Sequence, residues 1–437
     1  MEQSDARLRS QAPNLEFPSG CNRQIYSTGG RTGFEHGGRH ATNRRDEAAV
    51  SDGSAHAKQP GAEWGQVGDR HCSDRRGDRT ADGLFAAIDL GTNNCRLMIA
   101  ARTAAGFSVL DSYSRMVRLG EGLQKSGELT DEAMGRTIEA VRACAVRIEK
   151  RRPVLIRAVA TEACRRAANG RAFIDRIRHE TGVAIDIISS REEAELAVES
   201  CASLLLQARG GQGETAASPA ANRGLLLDIG GGSTEIAWVR LDPERRIHEV
   251  IGYVSIPAGV ITLSEKFSRR RPGVYRAMVS YVRKYLENFE AVHRIRGELQ
   301  RGNVRMVGTS GTVTTLACLD LDLARYTRWA VDGHYLDRQA SQKAISRLHR
   351  MGISGMRAHP CIGPERAAYV MPGCAIFDAV QSMWPGGVIV ADRGLRDGML
   401  IRMMKGAAQA NMRRDGPHRA ASADASATSG RETLFSI

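Results

Sequence analysis

The same short pattern occurs twice in this chain, about 140 residues apart, and it restricts the fold more than any other feature. Each copy combines an apolar strand, an aspartate, a glycine-rich turn and a second strand. The period is longer than that of solenoid repeats, so the pattern predicts a duplicated α/β domain with a cleft between the copies. The two copies are Ile88-Asp89-Leu90-Gly91-Thr92-Asn93 and Leu227-Asp228-Ile229-Gly230-Gly231-Gly232.

Hydrophobic periodicity marks where order begins and ends. Residues 1–83 are rich in Arg, Gly, Ser, Asp and His without periodicity, which predicts disorder; a start site placed too far upstream would give the same composition. From Leu84, strands alternate with helices, including one over 131–150 that Thr130 can cap. We assign 1–83 to a disordered extension, 84–207 to domain I, 208–224 to a linker loop, 225–391 to domain II, 392–405 to a C-terminal helix returning toward domain I and 406–437 to a flexible tail.

The charge of the chain predicts an anionic partner. The formal net charge is +13, and residues 1–83 contribute none of it, with 12 basic and 12 acidic residues. The excess lies in the folded part, where it would attract a polyanion, a nucleotide, acidic lipid or nucleic acid. Aromatic residues make up only 5% of the chain, so stacking platforms for nucleic acid are scarce.

Other sequence signals exclude several classes of protein. No apolar run is long enough to span a bilayer, and we expect a cytoplasmic protein. The nine cysteines include no C-x-x-C pair, which favours free thiols over zinc binding or disulfides. The sequence has neither a G-x-S-x-G motif nor a Walker P-loop, which argues against a serine hydrolase and a P-loop ATPase.

The two glycine turns are candidate phosphate-binding loops. Glycine leaves backbone N–H groups accessible to an anion, and the aspartate before each turn is a hard oxygen ligand for Mg²⁺. One such turn commonly does no more than connect two strands. Two copies, each with an aspartate at the strand end, favour the functional interpretation.

Three further motifs each allow a functional and a structural interpretation. Ser310 and Gly311 follow a strand and form either a third phosphate loop or a capped strand–helix turn. Glu193, at the start of a helix, either complements the helix dipole or takes a proton from an attacking water. Thr161 and Arg165, one helical turn apart, either grip phosphate or belong to a solvated basic face.

Six blocks in a fixed order resemble the exopolyphosphatase/guanosine pentaphosphate phosphohydrolase (Ppx/GppA) family over residues 84–405. The resemblance implies duplicated actin-like (ribonuclease H-like) domains of the superfamily of sugar kinases and heat-shock ATPases, with an interdomain cleft. It implies the short two-domain form, without the helical histidine–aspartate domain of long members. The blocks are Ala86–Asn93, Ala160–Arg165, Ile188–Ala194, Leu227–Glu235, Gly308–Thr312 and Asp392–Gly398.

The resemblance also implies roles for individual residues. Glu193 would activate the water, and Asp89, Asp228 and Glu235 would hold Mg²⁺ or Mn²⁺. Ser190 replaces a usual glycine, and Asn94-Cys95 departs from the common pattern; we expect small effects from both. Phosphate contacts are implied for Gly91, Thr92, Asn93, Thr161, Arg165, Gly230, Gly231, Gly232, Ser233, Thr234, Ser310 and Gly311.

The resulting hypothesis is a Mg²⁺-dependent exopolyphosphatase that releases terminal orthophosphate from inorganic polyphosphate. Hydrolysis of guanosine pentaphosphate remains an alternative, as do a sugar kinase and a non-catalytic module that binds polyphosphate or nucleic acid. We expect no membrane partner and only nonspecific contact with nucleic acid, and a homodimer is left open.

Overall fold

The computed structural model describes residues 24–25, 83–104, 106–207, 221–267 and 272–415, with the backbone alone at 24–25 and 411–415. Of the predicted disordered extension, two residues form a short strand and 83 begins the first domain; the rest lies outside the described residues. Residues 208–220 of the predicted linker and the tail beyond 415 also lie outside them.

The first sheet is mixed and has six strands. Three antiparallel strands form a meander, one short antiparallel strand flanks it, and two parallel strands extend it on the other side, in the order β1-β4-β3-β2-β5-β6. The β2 strand is almost wholly buried because it lies at the centre of the sheet with both faces covered. The strands are β1 (Gln24–Ile25), β2 (Leu84–Leu90), β3 (Asn94–Thr103), β4 (Gly106–Met116), β5 (Leu155–Ala160) and β6 (Asp186–Ile187).

The second sheet repeats this arrangement in the order β11-β12-β10-β7-β8-β9. The meander β7–β8–β9 matches the meander β2–β3–β4, and the parallel strands β10 and β12 follow β7 as β5 and β6 follow β2, so β7 corresponds to β2. The edge strand β11, which is antiparallel to β12, has no counterpart in the first sheet. This shared order confirms the duplicated α/β fold. The strands are β7 (Arg223–Ile229), β8 (Thr234–Asp242), β9 (Ile247–Ile256), β10 (Val304–Thr309), β11 (Tyr335–Leu336) and β12 (Val388–Ala391).

Helices cover the faces of both sheets. The Thr130 hydroxyl accepts the Ala133 N–H at 3.3 Å and confirms the predicted cap of the helix that follows. The helices are α1 (Leu123–Ser126), α2 (Asp131–Arg151), α3 (Glu162–Arg166), α4 (Gly170–Thr181), α5 (Ser190–Leu205), α6 (Val260–Lys266), α7 (Val274–His293), α8 (Ile295–Gln300), α9 (Gly311–Asp320), α10 (Arg328–Val331), α11 (Arg338–Ala358), α12 (Gly363–Met383) and α13 (Leu395–Asp415).

Helices α5 and α13 connect the two halves of the molecule. One side of α5 packs against the second sheet, and its Leu196 joins α13 residues such as Met399 over Phe85 of β2. At the crossing, a Cβ on Gly398 would lie 2.1 Å from the Leu196 carbonyl oxygen, so only glycine permits this approach. Helix α13 therefore completes the hydrophobic core beneath the first sheet.

The C-terminal helix is longer than predicted. The sequence pattern placed its end at 405, with a flexible tail from 406, whereas α13 continues to Asp415. The extra turns contain Ala407, Ala408 and Ala410, and alanine has the highest helix propensity of all residues. In the described ranges, no helix is both long and apolar enough to cross a membrane.

Candidate active site

Two aspartates lie near the ends of the central strands β2 and β7. Asp89 and Asp228 each precede a glycine turn by two residues, and both are partly buried. The duplicated hairpins differ at the residue directly across from the aspartate, which is Arg96 in the first and Glu235 in the second. Together the two hairpins therefore carry two aspartates, the cationic Arg96 and the anionic Glu235.

The two glycine turns meet face to face. A Cβ placed on Gly231 would lie 3.2 Å from the Cβ of Thr92 and 3.3 Å from that of Asn93. On Gly232 it would lie 2.6 Å from Thr92 Oγ1 and 3.0 Å from Glu162 Cγ. The absence of side chains at these glycines is what lets the turns approach each other across the cleft.

Five carbonyl groups of the two turns already accept hydrogen bonds, whereas four of the turn amides donate none. Within the described part of the chain, the N–H groups of Thr92, Asn93, Gly231 and Gly232 donate no hydrogen bond to protein. Such groups of free turn amides form anion-binding concavities. The turn carbonyls accept from the N–H groups of Val117, Arg118 and Gly120 in domain I, and of Gly259, Val260 and Ile261 in domain II.

Glu193 lies in the first turn of α5, close to both hairpins. Ser189 caps this helix, accepting the Glu192 N–H at 3.1 Å, which directs the following glutamate toward the cleft. The Glu193 side chain is 13% exposed, and its Oε2 accepts a hydrogen bond from Arg165 Nη1 at 3.1 Å. No hydrogen bond of Oε1 is found in the described ranges, so that oxygen is open to a water molecule.

Arg165 holds two glutamates in place. Besides Glu193, it donates to Glu162 Oε2 from Nη2 at 2.7 Å and from Nε at 3.2 Å, and to the Ile188 carbonyl at 2.9 Å. The sequence singled out Arg165 and Thr161 for phosphate contact. Here the guanidinium is engaged with carboxylates, and Thr161 is buried before α3.

Burial and mutual repulsion raise the pKa values of the acidic groups. For Glu193, burial raises the pKa well above its usual range, and the nearby charges of Glu235 and Asp228 raise it further. Burial, Glu235 and Asp89 raise the pKa of Asp228 to about 7. Burial also raises the pKa of Asp89, against the opposing effect of Arg96. This crowding of carboxyl groups favours binding of a cation between them.

The donor set fits a divalent cation. In the described residues, the Asp89 and Asp228 carboxylates make no hydrogen bonds, and the buried Asn93 Oδ1 has no partner. Glu235 differs, since its Oε1 accepts from Ser233 Oγ at 2.6 Å and from Ser255 Oγ at 2.9 Å. No group of three or more His, Cys, Asp or Glu side chains there is arranged to hold a metal. Two aspartates with water and phosphate oxygens would suit Mg²⁺, which keeps several waters.

The hydroxyls predicted to contact phosphate are used within the protein. Ser233 donates to Glu235, and Thr234, fully buried, donates to the Ala258 carbonyl at 2.7 Å. Ser310 lies beside Asp228 at the sheet edge because Thr309 pairs with that aspartate. Its Oγ caps α9 by accepting the Thr312 N–H at 3.1 Å, as the structural interpretation of this turn requires. Gly230 and Gly91 close the two hairpins with backbone hydrogen bonds.

Three arginines near the aspartates were missed from the sequence. Burial and the charge of Arg96 lower the pKa of both Arg366 and Arg396. Within the part of the chain that is described, the Arg96 guanidinium makes no hydrogen bond or ion pair. Two of the three could have been found in the sequence. The hairpin register places Arg96 opposite Asp89, and Arg396 belongs to the recognised Asp392–Gly398 block. We call Arg96, Arg366 and Arg396 the arginine cluster.

Comparison with known proteins assigns the family. A family model described as the Ppx/GppA phosphatase family matches residues 98–407. The chain belongs to this family. The assignment confirms the resemblance seen in the sequence, and it makes the protein a phosphatase, with polyphosphate or guanosine pentaphosphate as the substrates that the family supports.

Solved structures of Ppx/GppA proteins share the fold. The Aquifex aeolicus family member is 24% identical, with a TM-score of 0.59, over 74% of this chain and 98% of its own. An exopolyphosphatase from Cytophaga hutchinsonii is 23% identical, with a TM-score of 0.63, over 74% and 98%. An exopolyphosphatase-like protein is 26% identical, with a TM-score of 0.62, over 74% and 97%. The family-model match includes Glu193, the second hairpin and Arg396, and it begins after the first hairpin.

Proposed function

We propose that this phosphatase is an exopolyphosphatase, in which a water activated by Glu193 attacks the terminal phosphorus of inorganic polyphosphate. The free amides of the two facing turns are the observation that carries the proposal. They would form a cradle for a phosphoryl group, and Gly232 of this cradle contacts Glu162, which shares Arg165 with Glu193. Phosphoryl transfer needs mainly positioning and stabilisation of charge, and this arrangement supplies both.

Glu193 is suited to act as the general base. Arg165 occupies its Oε2, which leaves Oε1 to accept a proton from the attacking water. Its raised pKa brings the basicity of the carboxylate closer to that needed near neutral pH. As the water oxygen bonds to the terminal phosphorus, the bridging P–O bond breaks and the remaining chain leaves with the bonding electrons.

The turn amides and the arginine cluster meet the negative charge of the substrate. N–H groups of Thr92, Asn93, Gly231 and Gly232 would donate to the oxygens of the terminal phosphoryl group, where charge spreads in the transition state. The arginine cluster would hold the penultimate phosphates, which become the leaving group. A Mg²⁺ ion between Asp89 and Asp228 would neutralise further phosphate charge when bound.

The direct test is phosphate release from polyphosphate by the Glu193→Gln protein. Loss of the base should lower kcat by roughly 10²- to 10⁴-fold. Glu192→Gln is the matched control, because the neighbouring Glu192 pairs with Arg157 at 3.0 Å and takes no part in the proposed chemistry. Full activity in Glu193→Gln, or equal loss in both variants, would refute the assignment.

Guanosine pentaphosphate is the second candidate substrate. It presents the same kind of terminal phosphoanhydride to the turns and to Glu193. The family match favours it, because it supports this substrate as well as polyphosphate. Rates measured side by side on the two substrates decide between them.

A further inference from the structure

A glutamate of domain II makes a hydrogen bond to domain I beside the glycine turns. Glu265 lies in α6, and its Oε1 accepts the backbone N–H of Gly122 at 3.1 Å. Its other carboxylate oxygen, Oε2, is buried and has no hydrogen-bond partner in the described ranges. Gly122 directly precedes α1 and has a left-handed backbone, with φ at 79°, which favours glycine at this position.

The segment that precedes α1 is attached to the first glycine turn. The N–H of Gly120 donates to the Thr92 carbonyl at 2.9 Å, and a Cβ on Gly120 would lie 2.3 Å from Thr92 Cγ2. The N–H groups of Val117 and Arg118 both donate to the Asn93 carbonyl, at 2.9 and 3.0 Å. A displacement of this segment would therefore displace the turn and its free amides.

Helix α6 is attached to the second glycine turn in the same way. The residues that open the helix donate three N–H groups to the carbonyls of Gly230, Gly231 and Gly232, at 2.8 to 3.0 Å. The Thr262 hydroxyl adds a hydrogen bond to the Gly232 carbonyl at 2.9 Å. Glu265 follows within one helical turn, so the helix that supports the second turn also carries the carboxylate that reaches domain I.

These contacts form a closed ring. It runs from Thr92 through the segment before α1 to Glu265, along α6 to Gly232, and back to Thr92, whose Oγ1 would lie 2.6 Å from a Cβ on Gly232. The buried Oε2 of Glu265 costs free energy, which offsets part of what the Oε1 hydrogen bond contributes. The contact thus adds little net stability, although it links the two turns that receive phosphate.

We propose that Glu265 is a positioning residue: it holds the segment before α1 against α6 and thereby sets the distance between the two glycine turns. The inference rests on the proposed function, and Glu265 acts through the turns rather than by contact with substrate. The amides of both turns donate to oxygens of one phosphoryl group, so a displacement of about 1 Å between the turns would slow the reaction strongly.

Phosphate release from inorganic polyphosphate by the full chain tests the proposal. Glu265→Ala removes the acceptor and should lower kcat about 10- to 100-fold. Glu265→Gln keeps an oxygen acceptor for the Gly122 N–H and should restore kcat to within about fivefold of the native value. Glu287→Ala is the matched control; this glutamate of α7 is 56% exposed and pairs with Arg283, and the variant should keep the native rate.

Stability and hydrogen exchange distinguish positioning from a merely structural role. Glu265→Ala removes the hydrogen bond to Gly122 together with the buried Oε2, so its Tm should stay within about 4 °C of the native value. The Gly122 amide should exchange at least about 10-fold faster in Glu265→Ala than in the native and Glu265→Gln proteins. Equal exchange in all three proteins, a larger fall in Tm that accounts for the lost activity, or equal loss of kcat in both variants would overturn the proposal.

The outcomes also separate this inference from the proposed function. A native protein that releases no phosphate from polyphosphate refutes the proposed function, and this inference with it. A native protein that is active, with a Glu265→Ala variant of native kcat, refutes only the role of Glu265. If Glu265→Ala fails to fold, Glu265→Asp serves instead: it keeps the charge but draws the carboxylate back from Gly122, and a native kcat in that variant would overturn the proposal.

Discussion

Glu199 connects the elements that join the two halves of the molecule, and its removal is a sharp test of how they are held together. It lies on α5, with its side chain 11% exposed. His248 Nε2 on β9 lies 3.2 Å from its Oε2, and Lys405 on α13 donates to its Oε1. The hydrogen bond from His248, followed by that from Lys405, lowers the pKa of Glu199 to about 2.

The size of the effect follows from that pKa. The ordinary value is 4.5 and the folded value about 2; at about 1.4 kcal/mol per pKa unit, ionised Glu199 stabilises the fold by about 3 kcal/mol at pH 7. Because the folded pKa is below the unfolded one, this stabilisation is complete above pH 4.5 and is lost as the pH falls toward 2. About half of it remains at pH 3.

Equilibrium unfolding in guanidinium chloride measures this contribution of Glu199 to the free energy of unfolding. Glu199→Gln should lower the free energy of unfolding by about 3 kcal/mol at pH 7, and by about half as much at pH 3. Glu195→Gln on the same helix is the control; its side chain is 32% exposed and pairs with two exposed arginines, Arg191 at 3.0 Å and Arg402 of α13 at 3.5 Å, so it should cost less than about 1 kcal/mol. A Glu199→Gln difference that is under 1 kcal/mol at pH 7, or identical at both pH values, would refute the reasoning.

Three further predictions concern the site. Gly232→Ala should lower kcat/KM by about 100-fold because its Cβ forces the turns apart, whereas Gly135→Ala, with open space around it, should have no effect in the same assay. Arg165→Lys should lower kcat about 10- to 100-fold with little change in KM, since it loses the two-bond grip on Glu162; a change confined to KM would contradict this. The raised pKa of Glu193 places the acid limb of the kcat–pH profile above about 4.3, and a limb at or below that pH would argue against it as the base.

The central strands of both sheets could be predicted because each contains an unbroken run of apolar residues, which is typical of a buried strand. The third strands of the meanders, β4 and β9, were missed. Each alternates partly buried and exposed positions, with polar residues such as Ser112 and Ser114 in β4, which resembles loop composition. Their place in the fold comes from pairing with β3 and β8 rather than from their own hydrophobicity.

At the site, short sequence motifs pointed to the groups that lie at strand ends and helix starts, such as Asp89, Asp228 and Glu193. The directions of the Ser233 and Thr234 hydroxyls could not be predicted, because they depend on which face of β8 meets the core. Arg366 offered no signal either: it reaches Gly311 and Thr315 from a helix far along the chain. Only tertiary packing brings it to the arginine cluster.

The position of α13 has a consequence for synthesis of the protein. Arg396 of α13 donates to the carbonyl of Leu97 on β3, a separation of 299 residues. At a translation rate of about 5–20 residues per second, roughly 15 to 60 seconds pass between the emergence of the first sheet and that of the helix that covers it. Until α13 emerges, Phe85 and Met98 are covered only in part, by earlier residues such as Leu196 of α5, so the nascent chain exposes apolar surface and is prone to aggregate in that interval.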